Sequence, residues 1–65
     1  MGDCRGVLRI LEEGIRYDPE PEIRVYVDGE PLDVICFEPG RVVIRIRGRY
    51  VLIEEGVVTV YPRRR

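Results

Sequence analysis

The chain has 65 residues, with 12 acidic side chains against 11 basic ones and a formal net charge of −1. That length makes one small domain, residues 1–65, which buries only about 60% of its unfolded surface, so a disulfide, a partner or close strand pairing has to support the core. A hydrophobic content of 45% beside 35% charge excludes disorder; no apolar run approaches the ~18 residues of a membrane span, and none near the start reads as a leader, so a soluble, cytoplasmic chain is expected.

The first segment, residues 3–17, carries two patterns. Val7, Leu8, Leu11 and Ile15 suit a helical stripe, with Asp3 as N-cap and Gly14 just past the end. Against a helix, Gly6 sits inside the segment and Glu12 and Glu13 lie at the unfavourable end of the dipole. The competing pattern is a hairpin, Val7–Leu11 returning as Ile15–Tyr17 around a Glu12-Glu13-Gly14 loop. The same trio recurs at Glu54-Glu55-Gly56 between two β-branched runs, which tips the expectation toward the hairpin. Asp18-Pro19-Glu20-Pro21-Glu22 follows as an extended, acidic connector.

From residue 23 the period is two. Ile23, Val25 and Val27 alternate with Arg24 and Tyr26, Asp28-Gly29 is a turn, and Leu32–Phe37 is the next strand. Pro39-Gly40 turns the chain again, with Pro fixing the first central φ and Gly supplying the positive one. A tight hairpin there sets Phe37 opposite Val42 and Ile35 opposite Ile44, leaving Val34, Cys36 and Val43 on the other side with Arg45. Both sides of this hairpin are apolar, so it expects cover on both, from a closed barrel or a partner.

Arg41–Ile53 is the most informative stretch. Val42, Ile44 and Ile46 make one face, and Arg41, Val43, Arg45 and Arg47 the other. Gly48 is expected to bulge or bend the strand. After Tyr50–Ile53, a Glu54-Glu55-Gly56 loop sets Ile53 opposite Val57, Leu52 opposite Val58 and Tyr50 opposite Val60. Pro62 ends the pairing, and Arg63, Arg64 and Arg65 form a basic tail. The expected fold is mainly β, a small antiparallel barrel or sandwich of five to seven strands, with a short N-terminal helix as the alternative to the first hairpin.

The chain has no His, Lys, Ser, Asn, Gln, Ala or Trp, and Thr59 is its only threonine. Without His, Lys or Ser the common general bases and nucleophiles are gone, so no enzyme is expected and no catalytic residue is proposed. No cofactor is implied, and two cysteines without histidine do not make a four-ligand zinc site. Loss of the thermolabile amides together with dense mixed charge fits a thermophile's protein. Cys4 and Cys36 are the candidate disulfide; the alternative places Cys36, between Ile35 and Phe37, as a buried small hydrophobe.

Charge divides along the chain. Residues 1–40 hold 4 Arg against 10 Asp and Glu, or −6, and residues 41–65 hold 7 Arg against 2 Glu, or +5. One reading pairs the halves across strands or between copies. The other makes Arg41, Arg45, Arg47, Arg49, Arg63, Arg64 and Arg65, with Tyr26 and Tyr50, a nucleic-acid face. Ile46-Arg47-Gly48 followed by Tyr50, Val51, Leu52 and Ile53 resembles the Ile-Arg-Gly strand motif of Sm-like RNA-binding proteins. That resemblance covers about eight residues and implies a helix before a five-stranded barrel, ring assembly, and an Arg-Gly pair lining an RNA site. The family's Asp and Asn in an earlier loop have no counterpart, since the chain lacks Asn, and the segment from Asp28 to Gly48 is shorter than the family's intervening strands.

The leading expectation is a non-enzymatic interaction module that self-associates as a homodimer or binds a protein partner, with Tyr26, Val34, Val43 and Tyr50 as contact candidates. The alternative is an RNA- or DNA-binding β-barrel using the arginine face; no membrane contact is expected.

Overall fold

The computed structural model describes residues 4–61. Helix α1 (Cys4–Glu13) leads into β1 (Ile23–Val27), β2 (Glu30–Glu38), β3 (Arg41–Ile46), β4 (Arg49–Glu54) and β5 (Val57–Tyr61). The five strands form one antiparallel sheet in the order β1-β2-β3-β4-β5. Consecutive order follows from the connections. Each strand is joined to the next by two residues, Asp28-Gly29, Pro39-Gly40, Arg47-Gly48 and Glu55-Gly56. Three of these turns have both residues at positive φ, at 52° and 82°, 54° and 76°, and 49° and 82°. Those are the mirror-image turns whose twist matches the flanking strands. At the fourth, proline holds the first position and Gly40 has φ 89°, which only glycine adopts freely.

The sheet is open. β1 and β5 stand at its two edges, and the described residues close neither a barrel nor a second layer of strands. A short helix replaces the expected first hairpin. Cys4, Val7, Leu8 and Leu11 fall at spacings of three and four, and this stripe packs on the sheet. Gly14, at φ 74°, ends the helix with its N–H donated to the Leu11 carbonyl at 3.1 Å. The repeated Glu-Glu-Gly trio therefore serves two purposes, ending α1 in its first copy and turning β4 into β5 in its second. Asp3, Pro62 and the Arg63–Arg65 tail lie outside the described residues.

Gly48 does not bend a continuous strand. With Arg47 it makes the turn between β3 and β4, setting Ile46 opposite Arg49. Two register expectations also change. A bulge between Val34 and Cys36 sets Val34 opposite Ile44 and Cys36 opposite Val43, so Ile35 has no cross-strand partner and Val34 leaves the side that Cys36 occupies. At the last hairpin the loop is two residues and not three, so Ile53 pairs with Val58 and Leu52 with Thr59. One residue of slip sends Val58 and Val60 to the side opposite the helix.

The core lies wholly on the helix side of the sheet. It comprises Cys4, Leu8, Ile35, Cys36, Val43, Tyr50 and Leu52, with Val7, Leu11, Tyr17 and Tyr61 at its margin. The bulge lets the consecutive Ile35 and Cys36 both contribute. Cys4 and Cys36 are joined in a disulfide across 32 positions, with Cα atoms 5.4 Å apart, and both are fully buried.

Candidate functional site

Two surfaces carry the sequence's candidates, one on each side of the sheet. On the helix side, the cross-strand pairs Arg24–Asp33, Asp33–Arg45 and Arg45–Tyr50 line up in one row. Asp33 is only 5% exposed. Its carboxylate accepts from Arg24 Nε at 2.5 Å and Nη2 at 3.0 Å, and from Arg45 Nε at 3.2 Å and Nη2 at 2.7 Å. A buried carboxylate between two guanidiniums is stable because both of its oxygens are satisfied. Hydrogen bonds from Arg24 and then Arg45 hold its pKa well below the usual carboxylate range, against the opposing pull of burial.

The connector closes over this row. Arg45 Nη1 donates to Asp18 at 3.1 Å and to the Tyr50 hydroxyl at 3.3 Å, while that hydroxyl donates to the Tyr17 carbonyl at 2.5 Å. The Tyr17 and Tyr50 rings stand 6.1 Å apart, and the Arg45 guanidinium sits 5.9 Å from the Tyr50 ring centre. The result is a cleft of about 370 Å³ between the connector and the β3–β4 turn. Its cations are spoken for: Arg24 and Arg45 by Asp33, and Arg47 by Glu30 at 2.6 Å.

The nucleic-acid candidates do not share a face. Arg41 and Arg45 project on the helix side, Arg47 occupies a turn and Arg49 projects on the opposite side. Arg41 pairs with Glu38 and Glu54. Ile46-Arg47-Gly48, the stretch resembling the Sm-like motif, straddles the β3–β4 turn. Arg63, Arg64 and Arg65 are outside the described residues.

The other side of the sheet is apolar from edge to edge. One row crosses all five strands as Ile23, Val34, Ile44, Val51 and Val60. Beside it run Phe37, Val42, Ile53 and Val58, and on its other flank Val25, Leu32 and Ile46, ending at Arg49. Nothing in the described chain lies over these rows. Phe37 is 53% exposed, Val58 60% and Val60 52%, and Ile23, Val25 and Val27 are each exposed by nearly half. Scattered apolar side chains are ordinary at a protein surface, but a contiguous sheet face of them is not.

The four contact candidates divide accordingly. Val34 lies on the bare face. Val43 and Tyr50 lie on the helix side, 0% and 6% exposed, so both are out of a partner's reach; the pleat assigns them inward with Cys36 and Leu52. Tyr26 is 67% exposed, at the β1 edge and paired with Pro31 on the helix side. The central residues of the bare face, Ile44 and Val51, were missed because Gly48 reads as a bend in one strand, whereas with Arg47 it makes the two-residue turn that sets them opposite each other. Arg24 was missed as well, although the Asp28-Gly29 turn sets it opposite Asp33.

Among the described residues no group of three or more His, Cys, Asp or Glu is arranged to hold a metal ion, and no helix is long and apolar enough to cross a membrane. Compared with protein-family models, curated proteins and solved structures, the chain matches none of them.

Proposed function

We propose that this chain is a non-enzymatic interaction module whose working surface is the bare face of its sheet, and that it self-associates. The observation carrying this reading is the continuous apolar row from Ile23 to Val60, left uncovered while α1 occupies the other side. Water-exposed apolar area of this extent is the usual mark of a binding surface. The residue inventory points the same way, because a chain without His, Lys or Ser lacks the common catalytic groups. A small single-layer domain also gains the second half of its core from a partner.

The rival is RNA or DNA binding through Arg41, Arg45, Arg47 and Arg49. It calls for cations free to meet phosphates, and three of these four are engaged by carboxylates within the fold. Light scattering with and without an oligouridine RNA, first in low and then in high salt, separates the two. Self-association predicts a mass above the 7.6 kDa of one chain at micromolar concentration, indifferent to RNA. A monomer that captures RNA in low salt and releases it in high salt would transfer the function to the arginines.

A further inference from the structure

We infer that the occupant of the bare face is a second copy of this chain, stacked sheet on sheet about a twofold axis running along β3. The inference rests on the self-association proposed above and adds its geometry. With the strand order β1-β2-β3-β4-β5, β3 is the middle strand. An axis parallel to it, midway between two sheets packed ~10 Å apart, carries β1 of one copy over β5 of the other and β2 over β4.

The side chains match under that operation. Ile23 and Val60 are the two ends of one row, so each lies over the other in the partner copy, and the most exposed edges cover each other. Phe37 and Ile53 share a row, so the Phe37 ring settles on Ile53 of the second copy. The two Ile44 side chains meet at the axis. The charges at the rim agree as well. Glu30 on β2 and Arg49 on β4 stand at the same end of the sheet, one row apart. Swapping β2 over β4 brings the Glu30 of each copy, whose carboxylate also holds Arg47 of its own chain, toward the Arg49 of the other. Arg49 has no ion pair among the described residues.

The area is also of the right order. Five strands at ~4.8 Å and three apolar rows at ~7 Å give a footprint of roughly 24 by 20 Å, about 500 Å² before the corrugation of the side chains is counted. That lies at the upper end of the largest apolar patch an ordinary monomer shows, about 300–600 Å², and falls within the range of small specific interfaces. A self-complementary patch of this kind is what a closed twofold dimer requires. An edge-to-edge dimer through β1 or β5 would leave the whole face in water.

The test is sedimentation equilibrium on the wild type, Ile44→Glu and Arg49→Glu, with amide hydrogen exchange on the wild-type assembly. Ile44→Glu sets two carboxylates against each other at the axis and is expected to weaken the dimer on the order of a hundredfold. Arg49→Glu is expected to weaken it less, with Glu30→Arg added to the same chain restoring it. The outward amides of β1 and β5 exchange freely in a face-to-face dimer. A dimer that survives Ile44→Glu, or whose β5 edge amides are protected, overturns the stacking while leaving self-association in place. A monomer at every concentration overturns both. Should Ile44→Glu lose the fold, as read from circular dichroism, the exchange pattern and the Arg49 pair of variants decide.

Discussion

Replacing both cysteines with alanine isolates what holds α1 to the sheet. The helix has ten residues, no acidic residue in its first turn and no basic one in its last, and isolated helices below ~12–15 residues are marginal in water. Its persistence therefore comes from the packing of Leu8 and Leu11 and from the Cys4–Cys36 bond. The bond joins residues 32 positions apart. On the chain-entropy account, closing a loop of that size removes enough freedom from the unfolded chain to contribute about 4 kcal/mol. In a domain this small that is a large fraction of total stability, and it corresponds to a fall in Tm of roughly 15–30 °C. Thermal and urea unfolding of the wild type and of Cys4→Ala/Cys36→Ala, compared at one protein concentration, measure it. Hydrogen exchange should show the loss first in α1, with β3 and β4 remaining protected. A loss below ~1 kcal/mol, or one spread evenly over helix and strands, would refute the reasoning and make the apolar stripe of α1 sufficient by itself.

Other outcomes follow from particular contacts. Asp33 has a folded-state pKa below its unfolded value of about 3.9, because of Arg24 and then Arg45. Its contribution is fully present above that unfolded value and is lost as pH falls toward the folded one, so acid unfolding should flatten in Asp33→Asn when followed by circular dichroism. Tyr50→Phe removes the hydroxyl that bridges Arg45 and the Tyr17 carbonyl. It should cost about 1–2 kcal/mol in urea unfolding and leave the association state unchanged, since Tyr50 is buried on the helix side. Gly40→Ala meets no neighbouring atom within 4 Å but sits at φ +89°, so a loss of about 1–2 kcal/mol from backbone strain alone is expected in the same assay.

The strands were legible because each carries its own signal. Ile23–Val27, Leu32–Phe37 and Arg41–Ile46 alternate, and Asp28-Gly29 and Pro39-Gly40 punctuate them with residues that tolerate the required φ. The pairing of Arg24 with Asp33 could be read for the same reason, as a consequence of the two-residue Asp28-Gly29 turn, whereas the pairing of Asp33 with Arg45 also needs the bulge between Val34 and Cys36. The first segment could not be decided locally. Val7–Leu11 fits either period, and α1 is settled by a sheet surface and a cysteine that lie far along the chain. The Ile35 bulge was likewise hidden, since Leu32–Phe37 reads as an unbroken run and only the burial of both Ile35 and Cys36 beneath the helix explains the extra residue.

By itself, then, the sequence determined a small antiparallel β domain, the turns at Asp28-Gly29 and Pro39-Gly40, the want of ordinary catalytic groups, and apolar character on both sides of its central hairpin. Those properties are set by neighbours a few residues apart, through pleat, turn chemistry and side-chain type. Only the tertiary structure decided which apolar side is covered. Burial is a matter of what lies across the sheet, and the short helix α1 covers Val43 and Leu52 while Ile44 and Val51 stay at the surface. It also decided that Arg41, Arg45 and Arg47, three of the four candidate arginines among the described residues, are held by carboxylates of the fold, because Glu38, Asp33 and Glu30 are brought to them by strand register and turn geometry.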